Sequence, residues 1–435
     1  MPLTTMRRYI ARIVHTTTIA TALLAAPTFA ADWPQYRGPR SDGHSDDAGV
    51  AKRFNAQPKL VWKAPMGEGF GTFAVAGDKA FIFVKHADRE TLVCMNANTG
   101  KELWAQPLSN TIKDNGDERS NPRSTPAISG DKVYVYSVDM RLACFYAADG
   151  KPVWEHDIKK EFNGRDPGGW GNAISPIIDG DRLYVAGGGA GKAILCFNKN
   201  DGTLIWSGGN GVITHASPVV ATIHGVKQVV CVMQQTVISV SAEDGKKLWD
   251  APFKYSTSTA SSPIVCTGKD EGLIYCSAGY NMGSALFKVE KSGDGFAAKE
   301  LWYLNFEGPK GHNVNHWSTP VYHNGCIYGI FGFKDFAGGK GKGGGPARCL
   351  DLAKKQFTWT EPGFGSGGGT IFVDGYLLIQ GDAGRLAMIE ARPDRFVEKA
   401  EYTLPGKQFW SATIVANGKI YARSKTEAFC IDISK

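Results

Sequence analysis

After its first thirty residues this 435-residue chain has no apolar run long enough to cross a bilayer, no two adjacent cysteines, and no short motif that announces a reaction. Without Cys-x-x-Cys-His there is no covalent c-type haem. Without Gly-x-Ser-x-Gly or His-Glu-x-x-His there is no nucleophile elbow and no zinc-protease helix. GGGAGKA at 187–193 and GGKGKGG at 338–344 lack the Ser or Thr and the spacing of a phosphate loop, and read as hairpin loops. Sustained helical periodicity is missing, which excludes bundles and helical solenoids. Charge is modest at 21%, and the one basic cluster, Lys340 and Lys342, sits in a glycine run, so no face is built for nucleic acid.

Residues 1–30 read as a segment apart. Arg7, Arg8 and Arg12 precede an apolar stretch from Ile13 to Ala26, and Thr28-Phe29-Ala30 makes a cleavage site, the order of a secretory signal peptide. The stretch is too short and too threonine-rich for a membrane anchor. The expectation is an exported, soluble, periplasmic protein with residues 31–57 as an N-terminal extension and 58–435 as its folded body.

What is abundant is repetition. LVCMNANTGKELW at 92–104 recurs as LACFYAADGKPVW at 142–154, ILCFNKNDGTLIW at 194–206 and VISVSAEDGKKLW at 237–249. Weaker copies are KELW at 299–302, ARCLDLAKKQFTW at 347–359 and FVEKAEYTL at 396–404. Aligned on the closing aromatic, the copies fall at Trp62, Trp104, Trp154, Trp206, Trp249, Trp302, Trp359 and Tyr402. The intervals of 42–57 residues match propeller blades. Within 124–154, STPAI, VYVYSV and MRLACFYA read as three strands. ADGK is then a hairpin turn whose Gly150 takes a positive φ, and PVW opens a fourth strand. Pro152 restricts that fourth strand to a sheet edge.

Cysteine spacing follows the same repeat. Cys94, Cys144, Cys196, Cys349 and Cys430 hold one position, occupied by Ser239 in another copy. Equivalent positions in stacked sheets lie about 10 Å apart, beyond the roughly 7 Å that a disulfide spans between Cα atoms. These five are read as buried small hydrophobes, while the state of Cys231, Cys266, Cys276 and Cys326 stays open.

The ends complete each other. LVWKAPM at 60–66 is a fourth strand without three predecessors, and the C-terminal segment is three strands without a fourth. The fold class predicted is therefore all-β, a single eight-bladed β-propeller of four-stranded blades closed by N- and C-terminal strands in one composite blade. NANTGKELW, AADGKPVW, KNDGTLIW and AEDGKKLW resemble the repeat of the pyrroloquinoline-quinone-type eight-bladed propellers. DWPQYRGPRSDG at 32–43 resembles the start of a group of exported bacterial members. That superfamily includes quinoprotein alcohol dehydrogenases and the non-enzymatic B subunit of the outer-membrane β-barrel assembly machine.

Function is expected where the copies diverge, in the loops from each fourth strand to the next blade's first strand. A cleft ringed by Arg123, Trp170, Asn172, His215, His312, Asn315, His316, Trp317 and Trp410 is the candidate binding site for a ligand or partner. His312 and His316 are spaced i, i+4 but lie in a Gly/Asn-rich stretch rather than a helix, so no metal site is assigned. The expected function is a non-enzymatic scaffold that binds an envelope protein or small ligand at the channel mouth, with no cofactor. The rival is a quinone- or metal-dependent oxidoreductase of alcohols or sugars, carrying pyrroloquinoline quinone with Ca²⁺. The resemblance implies for that rival two adjacent cysteines, metal-binding carboxylates and a base, none of which matches a motif here. Closure generates the first test. Deleting residues 58–66 opens the ring and exposes two sheet edges, so the truncated protein should melt far below the full chain or aggregate on refolding. Unchanged melting would refute closure by this strand.

Overall fold

The computed structural model describes residues 31–50, 54, 58–111, 121–254, 259–293, 295–305, 313–332, 345–365, 367–406 and 408–433. The leader-like residues 1–30, the lysines of the 338–344 loop and His312 lie outside them.

Strand order within every sheet follows the repeat. Blade 2 runs Ala127–Ser129, Lys132–Tyr136, Arg141–Tyr146 and Pro152–Asp157 from the channel outward, which places Pro152 on the outer edge. Seven sheets are built this way from consecutive antiparallel strands. The eighth takes Ile414–Ala416, Lys419–Arg423 and Glu427–Asp432 from the C-terminus, and Lys59–Pro65 pairs with the last of these. The chain is an eight-bladed propeller closed by its two ends. Among the described residues, helix is limited to short segments such as the turn Ile158–Glu161.

The core lies between blades rather than at a single centre. Phe81, Phe83, Leu92 and Cys94 of blade 1 pack with Val133, Val135 and Phe145 of blade 2, and Trp104 leans on this layer from the outer strand. In six blades the tryptophan indole N–H crosses to a backbone carbonyl of the next sheet. The bonds are Trp62 to Ala97 (3.0 Å), Trp104 to Ala147 (3.3 Å), Trp154 to Lys199 (3.1 Å), Trp206 to Ala242 (3.2 Å), Trp302 to Leu352 (3.1 Å) and Trp359 to Arg392 (3.0 Å). In four of the six, facing blades 1 to 4, the ring lies over the glycine of that sheet's hairpin turn. A Cβ at Gly150 would fall 2.6 Å from the Trp104 ring, and Gly100, Gly202 and Gly245 stand as close to Trp62, Trp154 and Trp206.

Every blade also carries an irregularity between its third and fourth strands, immediately before the tryptophan position, and blade 1 has a second between Arg89 and Thr91. Trp104 faces Cys94 while Glu102 faces Met95, leaving Leu103 as the extra residue. Equivalent shifts occur in the other seven sheets. Such a bulge turns the outer strand and re-aims its side chain, here the indole, at the neighbouring sheet. The five repeat-position cysteines face these bulges, and all nine cysteines are free and buried. Burial pushes the thiols of Cys94, Cys144, Cys196 and Cys430 up to about 12.

Two departures from the repeat have physical causes. In blade 7 the register sets Ala400, not Tyr402, opposite Met388 at the bulge, so aligning Tyr402 with the tryptophans is off by two residues. Tyr402 pairs instead with Leu386 and packs against the neighbouring core. In blade 4, Trp249 faces a blade 5 hairpin whose strands, Gly283–Ser292 and Gly295–Asn305, extend past the usual turn. With no turn carbonyl in place, its indole donates to Gln228 Oε1 within its own blade (2.8 Å). Ser239 replaces the repeat cysteine and donates to the same oxygen (2.7 Å).

A second ring of contacts surrounds the channel. Near the start of each first strand stands a hydroxyl residue: Thr72, Thr125, Ser175, Ser217, Ser262, Thr319, Thr370 or Thr413. The Thr72 amide donates to Thr125 Oγ1 (3.1 Å), Thr125 to Ser175 Oγ (2.9 Å), Ser175 to Ser217 Oγ (2.9 Å) and Ser262 to Thr319 Oγ1 (3.1 Å). Each of these four hydroxyls, on Thr125, Ser175, Ser217 and Thr319, thereby satisfies an amide of the preceding blade that has no ladder partner.

Residues 31–47 cross the channel as a plug. Trp33 bridges Val75 of blade 1, and Pro34 O accepts from Ile128 of blade 2 (2.8 Å). The Gln35 side chain accepts from the Ile178 amide of blade 3 (2.8 Å). Buried Arg37 donates to Thr319 O (3.2 Å) and Pro320 O (2.8 Å) of blade 6, and His44–Ser45 runs parallel to Gly369–Val373 of blade 7. Ser45 Oγ reaches Val415 O of blade 8 (3.4 Å).

Two glycines of blade 2 separate the contribution of the tryptophan dock from that of backbone strain. Gly150 (φ 73°) meets Trp104, whereas Gly130 (φ 61°) has nothing within 4 Å of an added Cβ. Gly130→Ala should cost about 1–2 kcal/mol, the left-handed penalty alone. Gly150→Ala should cost at least twice that in urea unfolding, because the indole must also move. Equal costs would show that the dock does not hold blades 1 and 2 together.

Candidate functional site

One end of the channel opens into a cavity of about 620 Å³ between the plug and the loops that join consecutive blades. Its floor is Trp33, Tyr36, Arg37 and Gly43 of the plug, with the Tyr36 hydroxyl bonded to Thr319 Oγ1 (3.1 Å). Its lower wall is the hydroxyl ring, whose members are largely occupied by inter-blade bonds.

Above that ring runs a belt of aromatic side chains. Phe70 stacks on Trp410 (centroids 5.7 Å, 19°), and Trp410 meets Trp317 (5.8 Å). Trp317 stands against His316 (4.3 Å), His316 against Tyr280 (4.9 Å), and Tyr280 against Trp170 (6.3 Å). Arg123 closes the circuit. Its guanidinium lies 4.9 Å over the Phe70 ring, and Nη1 donates to Asn121 O (2.7 Å) and Trp170 O (3.2 Å). Five inter-blade loops and one hairpin thus contribute to one continuous rim, and a ligand entering it exchanges water for ring faces.

Of the nine residues singled out in the sequence, Arg123, Trp170, His215, His316, Trp317 and Trp410 line this cavity together. Asn172 and Asn315 are placed behind the wall. Asn172 donates to Ser137 O (3.0 Å) and accepts from the Ile174 amide (3.1 Å). Asn315 donates to Ile330 O (2.8 Å) and accepts from the Tyr275 hydroxyl (2.9 Å). Both pin their loops to a neighbouring strand, which is how the adjacent aromatics are held in place. His312 lies outside the described residues. Sequence reasoning missed Phe70, Tyr280 and the floor. Phe70 was visible in the GEGFGTF loop, but Tyr280 comes from a hairpin between second and third strands that returns to the same end. Only the plug's path places Trp33, Tyr36 and Arg37 here.

The electrostatics are one-sided. None of the described lining residues is a carboxylate, whereas Arg37 and Arg123 are cations. Glu68 is engaged by Asn121 (2.9 Å) and Lys425 (3.4 Å), and Asp166 by Lys159 (2.8 Å), all outside the lining. Arg37 spends its donors on backbone carbonyls, at 2.8 Å from Asp42 O and Pro320 O, and burial lowers its pKa. Burial, reinforced by the charge of Arg123, lowers His215 to about 4. Burial and the neighbouring His215 lower His316 to about 3. Both imidazoles are neutral at pH 7, and the wall they form is effectively apolar. Among the described residues no group of three or more His, Cys, Asp or Glu could hold a metal ion.

The buried histidines fix the sign of a pH effect. Their folded values lie below the ordinary 6.5, so as pH falls below 6.5 the unfolded chain takes up protons that the native state refuses. Stability present above pH 6.5 is lost on the way to about pH 4, with a slope of about 1.4 kcal/mol per pH unit for each histidine. Urea unfolding between pH 7 and 5 should show this slope shrinking in a His215→Gln/His316→Phe double variant. Parallel losses in variant and parent would refute neutral burial of this pair.

Comparison with known proteins bears on the fold. The propeller is similar to the crystal structure of quinohemoprotein alcohol dehydrogenase from Comamonas testosteroni, with TM-score 0.67, 15% identity, and 93% and 81% of the respective chains covered. It is similar to quinohemoprotein alcohol dehydrogenase ADHIIG from Pseudomonas putida HK5 (TM-score 0.63, 12% identity, 93% and 80% covered). It is also similar to BamB from Moraxella catarrhalis (TM-score 0.56, 12% identity, 86% and 97% covered). No curated protein sequence matches the chain. Residues 47–122 and 112–318 match the family described as outer membrane protein assembly factor BamB. With more than half its length matched and eight four-stranded sheets closed in a ring, the chain belongs to this BamB-type family of pyrroloquinoline-quinone-like propellers.

Proposed function

We propose that this protein is an exported, non-enzymatic binding propeller whose loop-bearing mouth takes one small, flat ligand. The observation that carries the reading is the closed aromatic belt over a plugged channel. A recess of about 620 Å³ with a floor suits a molecule of one or a few rings. A flat protein surface would leave much of that recess unfilled. Ring faces at Trp170, Trp317 and Trp410 supply stacking, worth about 0.5–1.5 kcal/mol per contact beyond the area buried. Export rests on the leader-like residues 1–30.

The family's quinone chemistry fits this lining poorly. The belt offers ring faces and Arg123 a cationic edge, but a quinone bridged by Ca²⁺ needs carboxylate and amide oxygens at the metal and a carboxylate base beside the alcohol. The described lining contains no Asp, Glu, Asn or Gln. We therefore derive no oxidation step.

Titration of the purified protein with naphthalene-2-carboxylate, and with pyrroloquinoline quinone in the absence and presence of Ca²⁺, tests both readings. Tryptophan emission should be quenched with one-to-one saturation by at least one of these rings. Trp317→Ala or Trp410→Ala should weaken binding by about tenfold, or about 1.4 kcal/mol, and Ala260→Trp, which fills the cavity, should abolish it. No dye-coupled alcohol oxidation should accompany binding. Quinone-dependent turnover that needs Ca²⁺ and disappears in Trp317→Ala would make the protein an oxidoreductase. No cavity-dependent binding by any ring would remove the small-ligand reading.

A further inference from the structure

The opposite end of the channel is unevenly covered. In each first strand one residue of a non-hydrogen-bonded pair turns its backbone N–H and C=O toward the channel. It is the third residue after the hydroxyl position in blades 1 to 6 and the second in blades 7 and 8. These residues are Val75, Ile128, Ile178, Val220, Val265, Tyr322, Phe372 and Val415. The plug meets five of them. Trp33 exchanges both bonds with Val75, Pro34 O accepts from Ile128, and Gln35 stands in for a backbone on Ile178. Gly43 O accepts from Phe372 (2.9 Å), and Ser45 donates to Val415 O. Blade 6 receives Arg37 at Pro320 O instead. Among the described residues the plug forms no hydrogen bond with blade 4 or blade 5.

Facing those two blades is a slot of about 440 Å³ between the plug's turn and the inner strands Val219–Ile223 and Ile264–Val265. Its floor is Ile178, Val219, Val220, Pro263, Ile264 and Val265. Charges at its rim neutralise one another, Asp179 with Lys227 (2.7 Å) and Arg40 with Asp46 (2.8 Å).

We propose that this slot docks an extended, uncharged segment of a partner polypeptide, added edge-on to the inner strands of blades 4 and 5. The chain itself shows what this ring accepts at these positions. The plug pairs antiparallel at Val75 through Trp33 and parallel at Phe372–Val373 through His44–Ser45, so either direction of approach is compatible. The slot continues that same seat around the ring to the two blades the plug leaves open. A small molecule would not match a wall made of strand edge. A charged segment would meet an apolar floor whose rim charges are already paired. This docking end is separate from the aromatic mouth and does not depend on the small-ligand reading.

A capped Val-Thr-Val-Thr-Val peptide, and the same peptide with alternate amides N-methylated, provide the test by amide hydrogen exchange on the full protein. At millimolar concentration the first should slow exchange in segments 218–223 and 263–266 at least tenfold, and the N-methylated peptide should not. Ala221→Trp, which fills the slot, should remove the protection. No protection, equal protection by both peptides, or protection only at the loop-bearing mouth would overturn the proposal. Protection that rises with protein concentration in the absence of peptide would assign the slot to a second copy and overturn it equally.

Discussion

A tryptophan docked on the hairpin turn of the next blade is the contact on which the ring depends. Sheets in a propeller share no hydrogen-bond ladder across their faces, so the blades are joined mainly by side-chain packing. An indole of roughly 200 Å² buried at about 25 cal/mol/Å² contributes on the order of 5 kcal/mol, an upper bound for each interface. That burial is approached most closely where the indole N–H finds an acceptor and the opposing turn lacks a Cβ, as at the turns of blades 1 to 4. Trp302 and Trp359 keep the acceptor against turns without glycine. The turn glycine meets the second condition and the turn carbonyl the first, as at Gly150 and Ala147. The bulge before each tryptophan sets the angle of approach. Where the turn is displaced, at blade 5, Trp249 and Ser239 converge on Gln228 and the polar atoms are satisfied within one blade.

This outer lock leaves the inner loops free to diverge. Because the outer strands and their docks hold the spacing of blades, the segments between them can carry Gly, His and Trp without carrying the fold. Their backbones are fixed by side chains that look functional in sequence. Asn172 and Asn315 are two such residues, each satisfying a neighbouring strand and holding an aromatic of the belt at the rim. The plug then turns an open channel into two separate recesses. One is floored by Trp33 and Tyr36, and the other is walled by bare strand edges. Without it, the hydroxyl ring would line an open passage.

The repeat also explains where reading by alignment fails. A closing aromatic identifies the fourth strand in seven blades, but in blade 7 Tyr402 lies two residues past the bulge. Residue type alone does not reveal register there, since either Ala400 or Tyr402 suits a half-buried outer strand. Pairing with Met388 decides the matter.

From sequence alone followed the blade count, the four-strand unit, closure by the two termini and the unpaired repeat cysteines. These follow from period, turn chemistry and alternation, which are local and recur often enough to check one another. Six of the cavity-lining residues were also legible, because the loops that carry them interrupt the repeat. Tertiary structure alone decided that Tyr280 joins the belt, that Asn172 and Asn315 stand behind it, and that residues 31–47 enter the channel. Each depends on which backbone groups of distant strands are left to be bonded, as Gln35 meets the Ile178 amide across 143 positions of chain. No local pattern encodes such a pairing; it exists only once the ring has closed around it.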